Sequence, residues 1–294
     1  MELRDISTIL ILGLTIGCIY AVIAVGLNLL YGTMRMLNVA HGDLIMLGAY
    51  AAYWLFTIYK ISPLISAIFA ALGGAVIGLI TYRLLFASSI RITKSLESLE
   101  GSSLLIFFGL LILLENVALL WWGADFRGYA YLTSAVTILG TPVPLNRLSA
   151  ALIAVAVCLA FYIFLQRTLF GKAVRAVIQD KDATQLVGIN TGKIYIFCFG
   201  VAFAMAALAG ALVSMFYSIT PFIGLPYTLM AFVVIILGGL GNILGSLVGG
   251  LLLGLVITAV VAYTTPGFAF IVQYLIFILV ILFMPQGILG RRTR

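Results

Sequence analysis

Long apolar runs broken by short polar interruptions set the plan of this chain. Runs near 8–31, 36–58, 63–86, 103–122, 148–166, 194–217, 226–240, 243–262 and 267–288 predict helices close to the roughly 20 residues needed to cross a bilayer. The 226–240 run is short and ends at Gly241-Asn242, which predicts a broken or re-entrant helix. The pattern therefore predicts an all-α, polytopic helical membrane protein: a single transmembrane domain over 1–294 with eight or nine transmembrane spans. The first run is longer than the apolar core of a signal peptide and is read as the first span.

Three polar interruptions carry structure of their own. Residues 166–193 hold Arg167, Lys172, Arg175, Lys181 and Lys193 together with Asp180 and Asp182. Ala173, Val174, Ala176, Val177 and Ile178 cluster as a short amphipathic helix requires, Asp180 is placed to cap a further turn at 182–187, and Gly188 is a helix stop. Such a helix needs a groove for its apolar face. Residues 87–103 predict a short surface helix, with Lys94 and Glu97 at i,i+3 spacing. Residues 123–147, rich in Tyr, Thr, Gly and Pro, predict a small β-hairpin.

Composition narrows the class. The chain is 64% hydrophobic and 9% charged, and its formal charge of +7 reads as a topology signal rather than a nucleic-acid footprint. With the 166–193 loop inside, twelve of the sixteen Lys and Arg fall on that side and only Arg4, Lys60, Arg127 and Arg147 on the other. The N-terminus is then external and the C-terminus cytoplasmic. Cys18, Cys158 and Cys198 stand singly in apolar runs, so neither a disulfide framework nor a metal site is indicated. The sequence contains no phosphate-binding GxxxxGK[ST], no HExxH, no CxxC and no GxSxG, which argues against an enzyme.

Polar groups inside the runs are the candidates for function, because a charged side chain at the bilayer centre carries a penalty of about 2.5–3.5 kcal/mol on insertion scales. Asn38, His41 and Asp43 fall within a turn and a half around Gly42. They read first as the lock on a helix break and alternatively as a proton relay. Glu115, beside Asn116, reads as either an interhelical hydrogen-bonding residue or a functional carboxylate. Gly241, Gly245 and Gly249 repeat every four residues, the spacing that lets membrane helices approach closely, near a subunit or gate interface.

Four blocks in order, NVAHGDLIMLGAY, FGKAVRAVIQDKDATQLVGIN, FVVIILGGLGNILGSLVGGLLLG and LFMPQGILGRR, resemble the LivH-type permeases of branched-chain amino acid ABC importers. The resemblance runs over nearly the whole chain. It implies the fold of the LivH/LivM and ribose-permease superfamily, in the bacterial inner membrane. The implied partners are a second permease (LivM-like or an identical copy), two cytosolic ATPases that bind ATP and Mg, an external substrate-binding protein, and lipid. No cofactor is implied for this chain. Residues 182–188 are similar to the coupling motif of ABC importers, with Asp182 for Glu, Thr184 for Ala and no closing Leu-Pro. Gly171, Val174, Arg175, Val177, Asp182, Ala183 and Gly188 are thereby expected at the ATPase, with Val174 and Val177 in its groove. Asn38, His41, Asp43, Glu115 and Asn116 are expected along the translocation path. Similar permeases often carry Gln at the place of Glu115, which implies a bundle-interior residue whose charge is dispensable. The substrate implied is a branched-chain or other neutral amino acid. The alternatives are urea or short amides, or a proton-coupled secondary transporter.

Overall fold

A computed structural model describes residues 3–87, 96–284 and 286–289. The helices are α1 (Leu3–Met34), α2 (His41–Tyr59), α3 (Pro63–Thr81, continued by a π-helical turn Tyr82–Phe86), α4 (Leu96–Trp122), α5 (Leu145–Arg167), α6 (Leu169–Gln179), α7 (Lys181–Leu186), α8 (Thr191–Val213), α9 (Gly224–Gly238, preceded by a 3-10 turn Pro221–Ile223), α10 (Ile243–Tyr263) and α11 (Pro266–Phe283). Eight of the described helices are long and apolar enough to cross a membrane; α2, with His41 and Asp43 in its first turn, falls outside that set. The expected hairpin is present as β1 (Ala135–Ile138) antiparallel to β2 (Thr141–Pro144).

Two faces organise the description. Thr8 near the start of α1 bonds Thr141 of the hairpin, whereas Gly32 near its end lies against Ile178 of α6. The chain thus has a hairpin face and a face carrying the 166–193 loop.

α8 sits at the centre, packed on α1, α2 and α3, while α10 runs along α1. In a bilayer apolar side chains gain little by leaving lipid, so close backbone packing has to hold helices together. Gly210 of α8 lies directly on the Ile45 backbone of α2, and Gly48 of α2 lies on Ala207 of α8. A Cβ at either position would collide with the neighbouring main chain.

The glycine stripe on α10 works within the chain rather than between subunits. Gly245 and Gly249 face Gly238 and Val234 of α9, while Gly250 and Gly254 face Ala21 and Gly17 of α1. Gly241 is not helical: it turns the chain from α9 into α10 with φ +80° and lies against Gly32. The turn is held by Asn28 of α1, fully buried, which donates to Asn242 O (2.9 Å) and Ser246 Oγ (2.6 Å) and accepts from Gly241 N–H (2.7 Å).

Two expected boundaries move. α4 is continuous from Leu96, so the C-terminal part of the surface helix expected at 87–103 is the start of the α4 span; Arg91 and Lys94 lie outside the described residues. The second span is not helical from 36: residues 35–40 leave the helix at Arg35, with φ +56°, and turn at 39–40, and helix begins only at His41. The broken element expected near 226–240 likewise begins mid-structure, at Gly224.

Candidate functional site

The start of α2 lies inside the bundle. His41 Nε2 is 3.0 Å from Ile23 O of α1. Ile23 lies 11 residues before Met34, about 16 Å from the loop-face end of α1 at 1.5 Å per residue. α8 gives a second ruler: Gly26, beside His41, lies against Ala202, 11 residues and again about 16 Å from Thr191. α2 therefore starts near mid-membrane and runs to the hairpin face, and α9 starts beside it and runs the other way. Discontinuous helices that begin at the midplane are a recurring feature of transporter sites.

The break is stapled by a residue that the local sequence did not single out. Thr228 of α9, fully buried, accepts a hydrogen bond from Gly42 N–H (2.8 Å) and donates one to Val39 O (2.9 Å). Its only outward sign is a hydroxyl within an apolar run. Because a carbonyl can only accept, His41 donates from Nε2 to Ile23 O, while Nδ1 is buried and unpartnered. Both amide atoms of Asn38 and Oδ2 of Asp43 are also buried without partners. Asp43 Oδ1 lies against Cα of Gly224, so the carboxylate sits at the N-terminal ends of both α2 and α9, where helix dipoles favour an anion.

α4 joins the site along α2. Tyr50 and Trp122 stack with ring centroids 4.1 Å apart and planes 19° apart, and Met46, Ala49 and Tyr50 pack with Ala118. Both helices run toward the hairpin face. Seven residues before the stack on each helix stand Asp43 and Glu115, at matching positions along the two helices. Glu115 is half-buried, so it is not sealed in the interior of this chain, and Asn116 is exposed, its amide donating to Ile112 O of its own helix (2.7 Å). The expectation that both lie in the bundle interior is corrected: they lie on a flank that this chain alone does not cover.

Above the stack, Arg127 spans the hairpin-face end. Its guanidinium donates to Trp122 O (2.6 Å) and lies over the rings of Trp54 (5.2 Å) and Tyr53 (5.9 Å), and its backbone pairs with Ile219. Nearby, Tyr129 bonds Ser214 (2.8 Å), and burial pushes its phenol up to about 12, the Ser214 bond opposing, so it stays neutral.

The 166–193 loop folds as its pattern predicts. Thr168 caps α6 by accepting from Gly171 N–H (2.9 Å), Asp180 caps α7 by accepting from Asp182 and Ala183 N–H (both 2.9 Å), and Gly188 ends the unit at φ +82°. The groove for its apolar face, however, is in this chain. Val174 and Val177 are buried in the main core with Leu165 and Ile194, and Gly171 is pressed against Phe164 and Leu165 of α5. They cannot lie in a partner's groove. Arg175 donates to Gln166 (2.8 Å). Of the residues expected at the ATPase, Asp182, Ala183 and Gly188 remain outward, beside an apolar tip, Leu186 at 89% and Val187 at 73% exposure.

Among the described residues no group of three or more His, Cys, Asp or Glu could hold a metal.

With the geometry in place, comparison with known proteins identifies the lineage. Residues 9–281 match the family model described as branched-chain amino acid transport system / permease component. The chain is 32% identical to the high-affinity branched-chain amino acid transport system permease protein LivH of Salmonella typhimurium, over 95% of this chain and 94% of that one. It is 32% identical to the permease protein BraD of Pseudomonas aeruginosa, over 96% and 95%. Its fold is similar to a solved chain of PsaBC from Streptococcus pneumoniae in complex with Fab (TM-score 0.52, 13% identity, covering 95% of this chain and 92% of that one). The chain belongs to the branched-chain amino acid transport system permease family.

Proposed function

We propose that this chain is the membrane permease subunit of an ATP-driven importer of branched-chain amino acids, forming part of the translocation path and taking its energy from cytosolic ATPases. The observation that carries the reading, beside the family, is the α6–α7 unit: firmly seated on its own bundle by Val174 and Val177, yet ending in an exposed apolar tip at Leu186 and Val187. A rigid base with an exposed apolar end suits a lever that a soluble partner grips, since covering exposed apolar side chains on the water side is favourable. ATPase docking thus shifts from the valines to Leu186 and Val187, with Asp182 and Ala183 beside them.

A second permease, identical or LivM-like, covers the α4 flank. Half-buried Glu115 and exposed Asn116 would otherwise face hydrocarbon, an unfavourable arrangement that a facing subunit relieves. The loop face is cytoplasmic and the hairpin face external, where a substrate-binding protein delivers the amino acid. ATP and Mg belong to the ATPases.

The test is expression of the chain with its neighbouring genes, followed by purification and reconstitution in vesicles. Co-purifying ATPases and ATP-dependent accumulation of leucine support the reading. Leucine uptake by the chain alone, driven by a proton gradient, overturns it.

A further inference from the structure

Along α2, Asp43, Tyr50 and Trp54 fall at spacings of seven and four, one stripe of the helix, and each has a buried polar atom without a partner: Oδ2, the phenol OH and Nε1. A static core rarely leaves three such atoms on one stripe, because each unmade bond destabilises it by about 1–3 kcal/mol. The same stripe meets α4 at Ala118 and Trp122, and Glu115 lies one turn before Ala118 on the same face of α4. The seam between the two helices is apolar at its middle, where Tyr50 stacks on Trp122, and charged at both ends. Arg127 stands at the hairpin-face end and the two carboxylates stand at mid-membrane.

We propose that this seam is the substrate's route into the membrane, that Asp43 and Glu115 form a subsite for the ammonium group of the amino acid, and that the Tyr50–Trp122 stack closes the seam above it. The proposal rests on the importer reading and deepens it, and it reverses the expectation, drawn from the resemblance, that the charge of Glu115 is dispensable. Two carboxylates that face one another repel, and a cation between them converts that repulsion into attraction from both sides. A primary ammonium fits because it brings three donors to Oδ2 of Asp43 and to the Glu115 carboxyl, whereas a neutral amide brings no charge. At the outer end stands Arg127, its Nε buried and unpartnered, a positive charge for an incoming carboxylate. The two ends of the seam therefore read the two charges of a zwitterion in turn. The two helix N-termini behind Asp43 temper its anionic charge, so the ammonium is held without being trapped.

The importer, purified with its partner subunits and reconstituted in vesicles, is assayed for ATP-dependent uptake of leucine and, separately, for basal ATP hydrolysis. Glu115→Gln is the leading variant: the residue is half-exposed, and the change keeps its shape. The expected result is a fall in leucine uptake of roughly ten- to a hundredfold, the loss of one charge-assisted bond in a low-dielectric site, with assembly kept. Glu115→Asp, which keeps the charge, retains uptake within a few-fold of wild type. Trp122→Ala, which removes the cover, raises leucine leakage without ATP. If Glu115→Gln does not assemble, Asp43→Asn is read in its place against the same expectation. Uptake by the Gln variant equal to wild type, or equal loss in the assembled Asp and Gln variants, overturns the ammonium subsite and leaves the importer intact. A wild-type complex that moves no leucine overturns the importer reading itself.

Discussion

Thr228→Val removes one hydroxyl and keeps the shape, which makes the staple at the α2 break measurable. In the wild type the hydroxyl serves two backbone groups, accepting from Gly42 N–H and donating to Val39 O. Interhelical hydrogen bonds in membranes average about 0.6 kcal/mol in double-mutant cycles, which sets a floor. Here, though, the helix starts in the bundle interior and Gly42 N–H lies in its first turn, so the valine leaves it with no helical partner; an unmet buried group destabilises by about 1–3 kcal/mol, and the upper part of that range applies. Thr258 supplies the internal control, because its hydroxyl is buried without a partner and Thr258→Val should be neutral or stabilising. The assay is denaturant unfolding of the purified permease in mixed micelles, comparing the two valine variants. Equal stability of Thr228→Val and Thr258→Val would refute the staple, and with it the account of how the break is held.

Other outcomes follow from the same packing. Val174→Asp should unseat α6 and lower the yield of folded permease, whereas Leu186→Asp with Val187→Asp should leave the permease folded but release the ATPases on purification; retention of ATPase by the tip variant would rule out the docking surface. Asn28→Leu should destabilise by about 2–4 kcal/mol, since several bonds to the α9–α10 turn are lost together, and proteolysis of the permease in micelles reads the loosened turn. Gly210→Leu should prevent folding, because its side chain must occupy the space of the Ile45 backbone; normal expression and uptake would contradict that contact. Asp180→Ala should weaken α7 by about 1 kcal/mol, seen as faster hydrogen exchange over 181–186.

What could be read from the sequence, and what could not, divides by the range of the physics. Helices set by hydrocarbon length, the hairpin of 123–147, the Asp180 cap and the Gly188 stop are local, and each stands where its residues put it. The start of α2 was misplaced by five residues because Met36–Ala40 is as apolar as a helix; only Thr228, 186 residues away from Gly42, shows that the backbone bonds leave the segment. The amphipathic face of α6 was legible but its partner was not, since periodicity reports a face and never the surface opposite it. The glycine spacing on α10 promised close approach and delivered it on two sides, α9 and α1, within one chain. The pairing of Asp43 with Glu115 depends on the relative register of α2 and α4, which nothing short of the three-dimensional packing fixes.

The packing also decides which part of the bundle can move. α1 and α10, and likewise α8 with α2 and α3, are joined glycine to backbone, and sliding such a seam brings main chains into collision at Gly17, Gly48, Gly210 and Gly254. That block is rigid for the same reason that it holds together without a hydrophobic driving force between its helices. α4 is joined differently. It meets α2 and the Pro221–Ile223 turn, stacks Trp122 on Tyr50 at its hairpin-face end, and seats the fully buried Phe107 against Phe86 and Phe199 of the core lower down. An aromatic stack contributes about 0.5–1.5 kcal/mol beyond its buried area, well below what ATP hydrolysis in a partner can supply. Tilting the hairpin-face end of α4 away from α2, with Phe107 as the fixed point, breaks that stack and the packing of Ala118, and it opens a seam that carries Asp43, Glu115 and Arg127.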